Sequence, residues 1–206
     1  MNWSCSRNRA WNPPTSSSLA EEERRRSLLL STAVRDFPTL AAKRHSHTKF
    51  VGLRELFLPM LGNWTGVEQQ AASPWAPATT ARAMIVFKLD VDDQVVLQDY
   101  RHVDADHAEF CGHGVFMIDS ADVTSPDGRT PILWWFFDSY GYPPEAAHGG
   151  WQDGELIMHK TTPRGMAEHR FGVAEGQLGY RIRVRLGEAG EWGDFLSGRY
   201  RRISGH

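Results

Sequence analysis

The sequence predicts an all-β fold, a ten-stranded antiparallel up-and-down barrel entered through a short N-terminal helix, and three observations carry that prediction. In residues 177–186, Leu178, Tyr180, Ile182, Val184 and Leu186 alternate with Gly179, Arg181, Arg183 and Arg185, the two-residue period of a strand with one buried and one wet face. Ten such short segments follow one another after Gly62. The connectors Asp92-Asp93, Asp127-Gly128, Asp153-Gly154, Glu175-Gly176 and Glu188-Ala189-Gly190 carry turn chemistry. Several are too short for a crossover helix, so neighbours in sequence should pair as hairpins.

The elements are expected in this order. Residues 1–45 read as a poorly ordered extension: the first eighteen hold Trp3, Trp11, Pro13, Pro14 and a serine run without helix or strand period, a composition that does not build a core. Glu21–Glu23 ahead of Arg24–Arg26 supports a short docking helix over 19–34 as the alternative, with Pro38 ending it. The barrel domain covers 46–206. In 50–61 the apolar positions 50, 53, 56, 57, 60 and 61 form a helical stripe that Gly62 stops and Pro59 makes irregular near its end.

Strands are expected at 63–69, 81–89, 94–103, 108–118, 131–137, 147–152, 155–161, 164–174, 177–186 and 192–203. A weaker alternation runs through Met84, Val86 and Leu89, and through Val95, Leu97 and Asp99. Half-buried strands argue against a parallel sheet covered by helices on both faces. Rolling the sheet shut removes its edges and leaves an interior that can hold a ligand.

Composition narrows the function classes. The 206 residues are 41% apolar, enough for a sizeable core, and 23 basic against 25 acidic side chains give a net charge of -2. No global positive field gathers nucleic acid. No apolar run is long enough to span a membrane, and Arg7 and Arg9 are followed by no apolar stretch, so a signal peptide is not expected. With Cys5 and Cys111 alone, a structural disulfide is not expected and a cytoplasmic setting is. The protein is expected to be a monomer or a homodimer.

Candidate functional residues lie on the strands and rims. Trp64, after the Gly62 turn, is expected to plug one end of the barrel. Trp75, between Pro74 and Pro77, sits on a stiff loop suited to a lid. Gln98, Tyr100 and His102 share one strand face, and Asp99 and Arg101 the other; Gln98 and Tyr100 are the candidates for polar contact with a ligand, a structural hydrogen-bonded pair being the alternative. His113 shares a face with Cys111, too few ligands for zinc, although haem iron needs one protein ligand only. Pro131 to Asp138 holds more aromatic side chains than a small barrel interior needs, which makes Trp135 or Trp134 a pocket wall. Residues 138–144 form a rigid aromatic loop at the mouth, and 159–165 read as an ordinary hairpin.

No nucleophile with its base, phosphate cradle or zinc helix is present in the sequence. Non-catalytic binding of a small, mostly apolar molecule is the leading expectation, with no cofactor. The alternatives are an enzyme using Tyr100, Asp99 or His113 as acid or base, and a haem-binding barrel.

Leu61-Gly62-Asn63-Trp64, Ala72-Ser73-Pro74-Trp75-Ala76-Pro77, Gln98-Asp99-Tyr100, Gly112-His113-Gly114-Val115-Phe116, Trp135-Phe136-Phe137-Asp138-Ser139 and Thr161-Thr162-Pro163-Arg164-Gly165 together resemble a bacterial domain-of-unknown-function family with a calycin-like barrel. That family is distantly similar to fatty-acid-binding proteins, lipocalins and nitrobindins, and the resemblance covers the chain from Phe50 onward. It implies a lipocalin-like barrel with a carrier, sensor or storage role for a small molecule. Nitrobindin-like proteins place an iron-ligating histidine on the last strand, and 192–203 contains none, a departure that counts against haem.

Overall fold

The computed structural model describes residues 51–74, 77–120, 130–141, 143–162, 165–187 and 190–203. The expected extension and the docking helix fall outside them. A helix, α1 (Leu53–Phe57), leads into ten strands: β1 (Gly62–Gln70), β2 (Thr79–Asp90), β3 (Val95–Asp104), β4 (Glu109–Ile118), β5 (Pro131–Asp138), β6 (Ala147–Gln152), β7 (Glu155–Thr162), β8 (Gly165–Ala174), β9 (Gln177–Leu186) and β10 (Trp192–Ile203). Each pairs antiparallel with its neighbours in sequence, and β1 pairs with β10 to close the barrel. The expected fold class is the observed one, and strand bounds differ from expectation by at most two residues.

The helix is shorter than its stripe. Only Leu53–Phe57 is α-helical; the chain then runs through turns held by Met60 N–H to Phe57 O (2.8 Å) and Leu61 N–H to Phe57 O (3.0 Å). Pro59 donates no hydrogen bond and so cannot extend the ladder. The apolar stripe still serves its purpose, because Leu53, Phe57 and Met60 are buried while Leu58 is 62% exposed.

Two hairpin turns show why the connectors are so short. Asp153 and Gly154 (φ 51° and 82°) and Glu175 and Gly176 (φ 52° and 73°) both occupy the left-handed region, the geometry that matches a two-residue turn to the twist of its strands.

Most of the barrel wall alternates, and in β2 the buried face is the opposite of the apolar row the sequence suggests, while β3 buries the face of Gln98 and Tyr100. β2 turns Ala81, Ala83, Ile85 and Phe87 inward rather than Met84 and Val86, and β3 turns Val96, Gln98 and Tyr100 inward, leaving Val95 and Leu97 on the other face. Both faces of these strands carry apolar side chains, so alternation alone does not select between them. The aromatic rings of Phe87 and Tyr100 decide it by the area they bury. In β9 the predicted alternation fades: Leu178 and Tyr180 are buried, whereas Leu186 at the strand end is exposed.

The interior is a continuous aromatic cluster. Phe116 stacks on Trp134 at 5.3 Å, Phe171 on Tyr180 at 4.4 Å, and Phe57 of α1 meets Phe116 at 5.2 Å. The helix therefore packs into one end of the barrel.

Candidate functional site: the barrel interior

The two ends of the barrel differ. At the α1 end Trp64 is fully buried and donates its indole N–H to Met60 O at 2.7 Å. Gly62 (φ 115°) makes the turn that carries the chain from the helix into β1. Arg202, directly across β10 from Trp64, lays its guanidinium over the indole at 4.3 Å and donates to the carbonyls of Leu61 and Pro59. One cation thus satisfies the carbonyls left free where the helix ends and clamps the plug.

The other end is formed where β3, β5 and β7 finish and β4, β6 and β8 begin. Phe110 and Phe136 are half-buried there, with Tyr140, 73% exposed, packed on Phe110 at 5.1 Å. Lys160 reaches over the Phe136 ring at 5.9 Å, and its burial holds the ammonium below its ordinary pKa. A groove of about 740 Å³ crosses the rim beside β1 and β10, bordered by Gln70, Thr80, Ala105, Arg181, Asp194 and Phe195. Most of its lining residues sit where β1 and β3 end and β2 and β10 begin, which places it on the rim.

Between the ends lies a buried polar cluster centred on Glu68, whose side chain points inward from β1. Tyr100 donates to Glu68 Oε2 at 2.6 Å and Tyr200 donates to Oε1, while His102 Nδ1 lies 3.2 Å from Oε2. Burial first, and the Glu68 charge second, raise the pKa of both phenols, so both remain donors. A neighbouring pair, His169 Nδ1 and Tyr180 Oη, is 2.8 Å apart. Burial, then Lys160 and His159, push the His169 imidazole down to about 3, and it stays neutral. Tyr180 is raised by burial and by Glu68.

These phenols make a prediction at high pH. Above a pH of about 10 unfolded tyrosines release protons that folded Tyr100, Tyr180 and Tyr200 retain, so the unfolded state binds fewer protons and stability falls as pH rises. Each contributes a slope of up to about 1.4 kcal/mol per pH unit. Urea unfolding between about pH 9 and pH 11 should show the decline; constant stability over that interval would contradict it.

Of the residues singled out from sequence, Gln98 and Tyr100 point into the interior and are buried. His113 is on the outer surface, its Nδ1 2.7 Å from Asp99 Oδ1. The wall therefore separates Tyr100 from Asp99 and His113. Trp135 is half-buried on the outer face, opposite Val115, while Trp134 is the inward indole. Trp75 lies outside the described residues. Glu68, Tyr180 and Tyr200 were not among the expected site residues, although Glu68 stands four positions after Trp64 and so shares its inward face. Among the described residues no three His, Cys, Asp or Glu side chains gather as a metal site, and no helix is long and apolar enough to cross a membrane.

No protein-family model matches the sequence, and no curated protein matches it. Solved structures do match in fold. The S-type phycobiliprotein lyase CPES from Guillardia theta is similar with a TM-score of 0.55 and 12% identity, over 76% of this chain and 96% of that one. Rv2717c from M. tuberculosis is similar with a TM-score of 0.58 and 13% identity, over 75% and 99%. At these identities the likeness is one of fold, a calycin/lipocalin-like barrel.

Proposed function

We propose that the barrel binds a small, mostly apolar molecule in its interior without transforming it, as a carrier or sensor. One observation carries the reading: a closed apolar interior is plugged by Trp64 and Arg202 at one end and rimmed by half-buried Phe110 and Phe136 at the other. Such a chamber admits an apolar molecule from one side only. The aromatic rim favours partitioning of the ligand out of water, and the wall excludes solvent once it is inside.

The test is a titration with the neutral fluorophore N-phenyl-1-naphthylamine. Saturable one-to-one binding, with energy transfer from the interior tryptophans and displacement by unlabelled apolar molecules, is the expected result. Dye emission that never saturates, together with no copurifying small molecule in native mass spectrometry, would remove the reading.

A further inference from the structure

Among the buried polar atoms of the described residues that have no hydrogen-bond partner in the protein, two stand together. Gln98 on β3 and Trp134 on β5 are each 1% exposed, and neither Gln98 Oε1 nor Trp134 Nε1 has a partner. The strand between them, β4, presents Gly114, which lies opposite Gln98 in register. A Cβ built on Gly114 would sit 2.6 Å from Trp134 Nε1 and 2.7 Å from Gln98 Oε1. Both atoms therefore flank one point of the wall, where the chain carries no side chain.

The pair is chemically asymmetric, because the indole nitrogen only donates and the amide oxygen only accepts. Leaving both unsatisfied in an apolar interior is costly. A single neutral hydroxyl meets both needs at once, since its oxygen accepts from Trp134 N–H while its hydrogen goes to Gln98 Oε1. An ether or ketone oxygen serves the indole alone. A carboxylate brings no hydrogen for Gln98 Oε1 and sets a negative charge against it, and an ammonium has no lone pair for the indole.

The geometry points to Gln98 and Trp134 as the polar handle of the interior, selecting an apolar molecule that carries a neutral hydroxyl. This inference rests on the interior-binding reading and deepens it. Gly114 lets the two atoms stand close together, because a side chain at that position would collide with both.

The experiment compares 1-octanol, methyl octyl ether and octanoate by calorimetric titration of the full chain and of the Gln98→Leu and Trp134→Phe variants. Wild type should bind 1-octanol about tenfold more tightly than the ether or octanoate, a ratio of the size one satisfied donor and acceptor supply. Each variant should bring 1-octanol to the affinity of the ether and leave ether binding in place, with thermal unfolding confirming that both variants are folded. Equal affinities in wild type, which a tightly held water at the same place would produce, overturn the handle alone. So does a preference that survives in both variants. Failure of all three molecules, and of N-phenyl-1-naphthylamine, to bind overturns the interior-binding reading with it.

Discussion

Replacing Glu68 with alanine is expected to lower the free energy of unfolding by about 3 to 5 kcal/mol. The carboxylate is the shared acceptor of Tyr100 and Tyr200 and lies within reach of His102. Without it two phenolic hydroxyls are left in an apolar interior with their main acceptor gone, and each stranded group costs about 1 to 3 kcal/mol. The cavity left by the side chain adds to this. The converse change separates the two causes: when Glu68→Leu is combined with Tyr100→Phe and Tyr200→Phe, the donors leave with the acceptor and most of the loss should be recovered. Urea midpoints of the single and triple variants check this. A triple variant as unstable as Glu68→Ala would show that shape, not hydrogen bonding, sets the cost.

At the plugged end, Trp64→Ala should cost about 3 to 5 kcal/mol, the range for deleting a fully buried aromatic side chain. The change removes the ring under the Arg202 guanidinium and strands the Met60 carbonyl that the indole N–H now serves. Arg202→Ala should also destabilise, by about 0.5 to 1.5 kcal/mol, because the carbonyls of Leu61 and Pro59 exchange the guanidinium for water. The two residues act on each other, so the double variant should lose less than the singles combined. Strict additivity would separate the plug from its clamp.

Much of this architecture was legible in the sequence because the barrel depends on local signals. Turn pairs such as Asp153-Gly154 and Glu175-Gly176 announce their hairpins, and the alternation from Leu178 to Tyr180 names its own buried face. In β2 and β3 the apolar side chains on both faces hid which row turned inward. Assigning it required the cross-strand register, which ties Ile85 to Trp64 on one side and to Tyr100 on the other. The Glu68 cluster was hidden for a related reason. Its members come from β1, β3 and β10, far apart in the chain, and only barrel closure through the β1–β10 pairing brings Tyr200 to Glu68. Likewise the adjacency of Gln98 and Trp134 depends on a glycine in the strand between them, whose significance appears only once the neighbouring side chains are placed.

The most direct measurement is the response of the tryptophan indole N–H resonances to N-phenyl-1-naphthylamine in two-dimensional NMR. Interior binding predicts that the inward Trp134 resonance shifts and saturates with the ligand while Trp135, on the outer face, does not follow it. Movement of Trp135 with Trp134 unchanged would place the ligand outside the barrel and contradict the account.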